Sequence, residues 1–373
     1  MIKFKSPINL FHSRKLIEQH IAVFGESGSG KTTLLSTFYG WHQEPSFGKL
    51  NGYTLNATDT SKGQELSRKY LKMKESSLPI QTRYNHDTFE FDIKVRGLDR
   101  SAGSIVWHDY PGEWWTETKE GKESDLKIKA FHALLQSDIA FFLCDAQRLK
   151  DDGDKYLRGL LRTFRTELER QKDSLYSEEK PLTLFPRVWI ICLSKADLMP
   201  EEDVYSFRDR VIKVAKDEID ELKETIKNML LGDGYESIGE AFLLLSSAEF
   251  DVATGKVKDS SSSLGIDLIP PISISLPIQK ALSWERTKSK TMKVFYRIAE
   301  TGRSLTTNWA KYIPIIGSPL RLFDDLAIYG IDELKKKKDK AREQGDSVAV
   351  VTAVFAEKLK EDSTSKVYIS DVK

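Results

Sequence analysis

One stretch near the N-terminus has the residue types and spacing that bind phosphate groups. It follows the pattern G-x-x-x-x-G-K-T, and its residues are Gly25, Glu26, Ser27, Gly28, Ser29, Gly30, Lys31 and Thr32, with Thr33 next in the chain. Glycines allow successive backbone N–H groups to point at phosphate oxygens, because no side chain blocks the approach. In such loops the lysine ammonium binds the β- and γ-phosphates, and the hydroxyl of Thr32 ligates Mg²⁺. We predict a nucleotide-binding phosphate loop in which Lys31 is also catalytic.

The sequence on either side of the phosphate loop (residues 25–32) supports this prediction. An apolar run at 21–24 predicts a strand, and a helical segment begins at Thr33. The loop would then lead into a helix N-terminus, whose free N–H groups and dipole favour an anion. A glycine- and serine-rich turn without a ligand is the alternative, and the strand and helix around the loop favour nucleotide binding over it.

A second candidate group is the D-x-x-G tetrapeptide that begins at Asp109 and ends at Gly112. In a protein with a phosphate loop, the carboxylate holds Mg²⁺, usually through water, and the glycine N–H binds the γ-phosphate. A tetrapeptide of this kind is by itself more often an ordinary turn. Its position two predicted strands after the phosphate loop favours the metal-binding and nucleotide-binding roles.

Two later segments indicate which base the nucleotide carries. The segment S-K-A-D at 194–197 matches the guanine-reading pattern [N/T/S]-K-x-D, with serine where asparagine is usual. The carboxylate of Asp197 would accept from the N1–H and N2 amine of guanine, while the stem of Lys195 packs over the base. The segment at 246–248 resembles the loop that supports the base through a backbone N–H, which makes Ser247 and Ala248 predicted nucleotide ligands. GTP or GDP is the predicted ligand, and an adenine nucleotide beside a coincidental K-x-D stays open.

Composition limits the classes of protein that fit. The 373-residue chain is 40% hydrophobic and 30% charged, as in ordinary globular proteins, and its 57 Lys and Arg residues balance 56 Asp and Glu residues. This balance gives no reason to predict a nucleic-acid partner. The two cysteines, Cys144 and Cys192, lie in apolar runs and favour buried thiols in a reducing cytoplasm. We expect neither a signal peptide nor a transmembrane helix.

The distribution of apolar runs predicts an α/β fold. Continuous runs at 21–24, 139–146, 188–193 and 241–245 are separated by helical patterns at 155–171 and 203–231. Such runs are typical of a parallel sheet covered on both faces. Alternation at 88–95 followed by a run at 104–108 predicts an antiparallel hairpin. We expect a mostly parallel six-stranded sheet with helices on both faces and a C-terminal helical extension. Residues 40–81 have the composition of a long loop, with a possible helix over 63–74.

The expected organisation has five parts. They are an N-terminal lead-in at 1–19, a nucleotide-binding domain at 20–250, a loop or linker at 251–279, a helical extension at 280–344 and a tail at 345–373 with a β-like run at 348–354. Apolar residues are concentrated over 309–334, and four lysines follow at 335–338. This region is predicted to be either a helical subdomain packed on the domain or a surface for a membrane or a protein partner.

The order of the motifs resembles that of the Ras-like (TRAFAC-class) P-loop GTPases over roughly residues 20–250. Three segments are similar to the YcjX-like bacterial P-loop family: L-P-I-Q-T-R at 78–83, D-Y-P-G-E-W at 109–114 and K-A-D at 195–197. The D-Y-P-G-E-W match is the most specific of these. Ser194 replaces the threonine of that family, and the C-terminal third of the chain shows no match.

The resemblance implies a cytoplasmic, Mg²⁺-dependent GTPase that hydrolyses GTP slowly and acts as a molecular switch, with a role in bacterial stress or defence. It implies that Thr82 is the switch I threonine, a Mg²⁺ ligand and catalytic residue, with Thr60 and Thr88 as alternatives. Glu113 occupies the position of the water-orienting residue of Ras-like enzymes. A protein effector or activator would bind the switch regions or the C-terminal helices, and peripheral membrane contact stays open. The alternatives are a nucleotide-binding scaffold and an ATPase.

Overall fold

The computed structural model describes residues 17–75, 87–112, 122–175, 188–229, 238–251, 253–254, 256–259, 263–277, 330–362 and 366–369. Its centre is a β-sheet, and a separate two-stranded hairpin lies beside it. The strands are β1 Ile17–Phe24, β2 Tyr53–Ala57, β3 Asp87–Val95, β4 Ser101–Asp109, β5 Ile139–Asp145, β6 Val188–Ser194, β7 Ala241–Leu245, β8 Glu249–Asp251, β9 Lys256–Asp259 and β10 Val367–Ile369.

Ten helices are described, and they surround the sheet. They are α1 Lys31–His42, α2 Pro45–Asn51, α3 Thr60–Lys74, α4 Lys122–Gln136, α5 Ala146–Asp152, α6 Lys155–Leu175, α7 Val204–Lys227, α8 269–277, α9 Ile331–Glu343 and α10 Ser347–Asp362. Two 3₁₀ turns lie at Ala196–Leu198 and Ile266–Leu268. In the part of the chain that the structure describes, no helix is both long enough and apolar enough to span a membrane.

The sheet has eight strands in the order β10-β7-β6-β5-β1-β4-β3-β2. The five from β7 to β4 run parallel, while β10, β3 and β2 each pair antiparallel with a neighbour. Every residue of β5, β6 and β7 is buried, as expected for parallel strands covered on both faces. The predicted α/β fold with a mostly parallel sheet is confirmed. The predicted number of six strands is wrong, because β2 and β10 extend the sheet at its two edges.

Each face of the sheet carries its own apolar core. On one face, α1, α8 and α10 contribute Phe38, Ile272 and Phe355 to a core that also holds Trp107 of β4. On the opposite face, α4, α6 and α7 contribute residues such as Phe164. Burial of these side chains from water supplies the main driving force for closing both layers over the sheet.

The predicted long loop at 40–81 contains α2, β2 and α3. Helix α3 begins three residues before the predicted start because Asp59 caps it, accepting from Ser61 N at 2.8 Å and Lys62 N at 3.3 Å. The helix packs closely on α1: an added Cβ at Gly40 would lie 2.1 Å from the ring of Tyr70. Only glycine at this position of α1 lets the two helices approach so closely.

The C-terminal part departs most from expectation. The run at 348–354, predicted to be β-like, is helical in α10, where Val350, Val351 and Phe355 are buried. A short continuous apolar run does not distinguish a strand from a buried helix, and its packing against β3 and β4 decides the outcome. The loop or linker predicted at 251–279 contains the β8–β9 hairpin and α8, which begins with Pro270 and Pro271 in its first turn, where their missing N–H is tolerated.

The predicted division into five parts stays a prediction, although α10 and β10 belong to the core and the sheet. Helix α9 agrees with part of the helix predicted up to residue 344, and the predicted helical residues 280–329 lie outside the described residues. In the lysine run, Lys338 donates to Glu357 of α10 at 2.7 Å. This ion pair supports the interpretation of α9 as a helix packed on its neighbour.

A candidate nucleotide-binding site

The phosphate loop lies between β1 and α1, at the carboxyl end of the parallel strands. Its conformation depends on Gly28 and Gly30, whose φ angles are +84° and +90°. An added Cβ at either position would meet nothing within 4 Å, so the left-handed backbone, rather than lack of space, favours glycine there. Ser29 N donates to Glu26 O at 3.1 Å across the turn. Gly30 provides no side-chain cap for α1, which leaves the first amides of the helix available to an anion.

The side chain of Lys31 is held on the inner side of this loop. It is 8% exposed, and its ammonium donates to Gly25 O at 2.6 Å and Glu26 O at 3.0 Å. Gly25 is itself tightly enclosed, since an added Cβ would lie 2.4 Å from Ser29 Oγ and 3.1 Å from Leu143. The loop thus has both the backbone geometry and the buried cation that phosphate binding requires.

The D-x-x-G segment contacts the phosphate loop directly. An added Cβ at Gly112 would lie 2.4 Å from Ser27 N, 2.6 Å from Glu26 C and 2.7 Å from Lys31 Nζ. No side chain fits in this position, so glycine is required by the close approach of two backbone segments. The structure therefore brings together two motifs that are far apart in the sequence.

Asp109 ends β4 beside the phosphate loop. The residue is 8% exposed, and burial raises the pKa of its carboxyl group to about 6, although the positive charges of Lys31 and Lys69 oppose the shift. No hydrogen bond or ion pair joins this carboxylate to another of the described residues. The charge of a buried carboxylate is unfavourable unless positive charge compensates it, and carboxylate oxygens are the hard ligands that Mg²⁺ prefers. Asp109 and the hydroxyl of Thr32, in the first turn of α1, therefore fit a Mg²⁺ site.

The base-reading segment follows β6. Among the described residues, Lys195 is the one non-glycine residue with a positive φ, at +55°. A left-handed backbone costs a side-chain-bearing residue roughly 1–2 kcal/mol, and such strain is concentrated at functional sites. The ammonium of Lys195 lies 2.7 Å from Asp145 Oδ2. Ser194, in the place of the usual asparagine, donates through Oγ to Cys144 O at 3.2 Å and so links β6 to β5.

The carboxylate of Asp197 is held at both oxygens. Oδ1 accepts from the hydroxyl of Ser246 at 2.6 Å, and Oδ2 accepts from Phe250 N at 3.1 Å. Each carboxylate oxygen can accept a further hydrogen bond, so the edge of a guanine base could still be read. Sequence reasoning assigned ligand roles to Ser247 and Ala248 and missed the support that Ser246 gives. The contact between Ser246 and Asp197 follows from the parallel pairing of β6 with β7, which places the residues after both strands side by side.

Other predicted residues are placed as follows. Thr33 lies in the first turn of α1, and Ser247 and Ala248 follow Ser246, with Ala248 buried against α3 and the β8–β9 hairpin. Thr82 and Glu113 lie outside the described residues. Their roles, and those of the alternatives to Thr82, stay predictions.

Sequence reasoning also missed residues that follow β5. Arg148 of α5 forms an ion pair with Glu26 of the phosphate loop. Burial raises the pKa of the Glu26 carboxyl group, and the charge of Arg148 opposes that shift. Arg148 also lies over the ring of Tyr156, 5.4 Å from its centroid, and the Tyr156 hydroxyl accepts from Asp145 N at 3.0 Å.

The sequence of the whole region matches a known family. A family model described as Double-GTPase 2 matches residues 19–236, which is more than half of the chain. The chain belongs to the Double-GTPase 2 family. This membership confirms the predicted class of P-loop GTPase, while the finer resemblance to the YcjX-like family stays a prediction. The Double-GTPase 2 match includes the phosphate loop, the D-x-x-G and the K-x-D segments, and it ends before Ser246.

Several solved structures match the chain at low sequence identity. The FeoB G-domain from Methanococcus jannaschii is 12% identical, with 71% of this chain and 99% of that chain covered and a TM-score of 0.31. Era from Aquifex aeolicus is 12% identical, with 68% and 54% covered and a TM-score of 0.29. The signal recognition particle receptor SRb from Chaetomium thermophilum is 17% identical, with 61% and 90% covered and a TM-score of 0.32. At these TM-scores the likeness carries no argument about the site of this Double-GTPase 2 member. Curated protein sequences give no match to the chain.

Proposed function

We propose that this protein binds GTP with Mg²⁺, hydrolyses it slowly to GDP and phosphate, and acts in the cytoplasm as a nucleotide-controlled switch. The observation that carries the proposal is the contact of Gly112 with Ser27 N and Lys31 Nζ. A segment packed this closely on the phosphate loop has to respond to any phosphate group that the loop holds. Membership of the Double-GTPase 2 family and the Asp197 carboxylate, which is hydrogen-bonded at both oxygens, support guanine as the base.

Each end of the site has a defined task in this proposal. Lys31 and the loop amides bind the phosphates, and Lys195 and Asp197 bind the base. Thr32 and Asp109, with Thr82 from the resemblance, would hold Mg²⁺, which supplies positive charge against the β- and γ-phosphates when it is bound.

The hydrolytic step is proposed to depend on residues beyond those the structure describes. Glu113 would hold the attacking water as a hydrogen-bond acceptor, by the resemblance to Ras-like enzymes. A carboxylate there also repels the γ-phosphate, which is the physical reason to expect slow turnover without a protein activator. Effectors or activators would bind the switch regions or the C-terminal helices.

Fluorescent analogues of GTP and ATP test the proposal in titrations with Mg²⁺, followed by measurement of phosphate release. We expect GTP to bind more tightly than ATP, Lys31→Ala to abolish binding of both, and Glu113→Ala to change release without removing binding. The matched control is Lys155→Ala, because the Lys155 side chain is 78% exposed and its ion pair within the described part of the chain, with Asp152, is long at 3.8 Å. Tighter binding of ATP would favour the ATPase. Tight GTP binding without any release would favour a nucleotide-binding scaffold.

A further inference from the structure

The β5–α5 corner, residues 145–148, touches both ends of the candidate nucleotide site. Asp145 ends β5 and pairs with Lys195 at the base end. Three residues later, Arg148 pairs with Glu26 at the phosphate end. Strand β5 lies between β1 and β6, so one corner of the chain reaches both the phosphate loop and the base-reading segment.

At the phosphate end, the β5–α5 corner compensates the negative charge of Glu26. Glu26 places a half-buried carboxylate in a loop that has to attract phosphates. Its negative charge opposes a bound nucleotide, and burial weakens the screening by water. The guanidinium of Arg148 neutralises this charge, and the same group lies over the ring of Tyr156. With Arg148 in place, Glu26 no longer presents an uncompensated charge to the phosphates.

At the base end, the corner fixes a flexible side chain. The Lys195 ammonium is held by Asp145 Oδ2 at 2.7 Å, while Asp145 Oδ1 caps α5 by accepting from Gln147 N at 2.9 Å. A carboxylate anchored by its cap is a stationary partner for the lysine. The stem of Lys195 is thereby held in one direction rather than free to sample many rotamers, which reduces the entropy lost when it packs over a base.

We propose that the β5–α5 corner positions the nucleotide site at both ends: Arg148 neutralises Glu26 so that the loop can bind phosphates, and Asp145 orients Lys195 for the base. This proposal rests on the proposed function, since it assumes that a nucleotide binds here. Arg148 and Asp145 act through other residues and are therefore positioning residues.

The test of Arg148 uses charge rescue. Arg148→Met keeps a long unbranched side chain and removes the charge, and it is expected to weaken the binding of GDP and of inorganic tripolyphosphate by about tenfold. Adding Glu26→Gln to Arg148→Met removes the uncompensated carboxylate and is expected to restore both affinities to within about threefold of the wild type. A purely structural role for Arg148 predicts no rescue. Lys155→Ala removes one charge from the start of α6 and serves as the control, with both affinities unchanged.

The test of Asp145 separates base from phosphate. Asp145→Asn keeps a good helix cap and removes the charge that holds Lys195. We expect GDP binding to weaken by about fivefold while tripolyphosphate binding stays unchanged, because only GDP carries a base. An equal loss of affinity for both ligands would show that Asp145 only maintains the fold. Unchanged affinity for both would contradict the proposal that Asp145 orients Lys195.

The outcomes also separate this inference from the proposed function. A wild-type protein that binds neither GDP nor tripolyphosphate would overturn both. A wild-type protein that binds both, with Arg148→Met unchanged or not rescued by Glu26→Gln, would overturn the corner proposal alone. If thermal unfolding shows that Arg148→Met does not fold, the single variant Glu26→Gln tests the proposal instead. Its affinity for tripolyphosphate is expected to stay the same or rise, and a tenfold fall would contradict the proposal.

Discussion

The two ends of the candidate site are built in different ways. The phosphate end is a single continuous stretch of chain, and its backbone amides supply most of its chemistry. Gly28 and Gly30 provide the left-handed backbone angles that this stretch requires. The base end is assembled from side chains at the ends of three different strands: Asp145 is the last residue of β5, Asp197 follows β6 and Ser246 follows β7. The difference shows that a local turn can specify phosphate binding, whereas base recognition depends on the register of the parallel sheet.

That register has a simple physical origin. Strands β5, β6 and β7 are buried throughout and apolar up to the last residues of β5 and β6, Asp145 and Ser194, so any shift would move these polar strand ends into the core. The pairing of Ser194 with Leu245 brings the ends of β6 and β7 level, and the next residues then meet. The base end therefore depends on the hydrophobic core much more than the phosphate end does.

The largest effect is expected where the phosphate end meets the D-x-x-G segment. Gly112→Ala places a Cβ 2.4 Å from Ser27 N, so one of the two backbone segments has to move. We expect phosphate release from GTP to fall by about a hundredfold, the loss that a misplacement of about 1 Å can cause. Single-turnover phosphate release measures it. Gly159→Ala in α6 is the control: nothing lies within 4 Å of its added Cβ, and it is expected to stabilise the helix by about 0.5–1 kcal/mol. Normal release by Gly112→Ala would contradict the contact.

A second prediction concerns the helix that carries the phosphate loop. His42, at the end of α1, is buried, and burial lowers its pKa from 6.5 to about 4. Neutral His42 donates from Nδ1 to Phe38 O at 2.6 Å, and the Tyr53 hydroxyl lies 3.5 Å from its Nε2. The unfolded chain binds this proton more readily, so stability is complete above pH 6.5 and falls as the pH approaches 4. We expect a loss of about 2 kcal/mol in the free energy of unfolding between pH 7 and pH 5.

Urea denaturation at several pH values measures this effect. His42→Gln is the matched variant, because it can form hydrogen bonds but does not titrate. It should be less stable at pH 7 and show a shallower dependence on pH. An unchanged slope in the variant would assign the acid sensitivity to other groups.

At the base end, the support of Asp197 should be separable from phosphate binding. Ser246→Ala removes one hydrogen bond to the carboxylate, with an expected loss of about 1 kcal/mol, or roughly fivefold, in GTP affinity. Competition titrations should show unchanged affinity for tripolyphosphate, which has no base. If both ligands lost affinity equally, the two ends would be more closely coupled than the structure indicates.

The smallest expected effect is a difference in stability that arises from the left-handed backbone of Lys195. Lys195→Gly and Lys195→Ala both remove the side chain, but only glycine relieves the left-handed conformation at φ +55°. The glycine variant should be more stable than the alanine variant by about 1 kcal/mol, although both bind guanine nucleotide weakly. Thermal unfolding of the two variants provides the comparison. Equal stability would mean that the surroundings relax around alanine.

The contrast between the two ends also explains what could be predicted from the sequence. The phosphate loop, β1 and α1 follow from local spacing, and the hairpin of β3 and β4 follows from strict alternation. Ser246, Asp145 and Arg148 were missed as functional residues because their partners are distant in sequence and their own neighbours carry no unusual pattern. Their positions become meaningful only when the sheet order is known.

The missed elements have a related cause. The edge strands β2 and β10 have five and three residues, too few for a clear period. The run at 348–354 of α10 was predicted to be β-like because its valines favour strands locally, while packing on the sheet favours a helix. In the stretch 263–277, serines and prolines resemble a loop in composition, yet Ser273 and Ser275 are buried in α8.

The place of α10 in the core has a consequence for how the protein is made. Phe355 packs against Tyr53 with ring centroids 5.1 Å apart, and β10 completes the sheet beside β7. At the usual pace of translation, residue 355 leaves the ribosome on the order of tens of seconds after residue 53. During that interval the apolar face of the sheet that α10 covers in the folded protein, which includes Tyr53 and Trp107, is exposed to water. Co-translational chaperones are therefore expected to engage this chain until α10 has been synthesised.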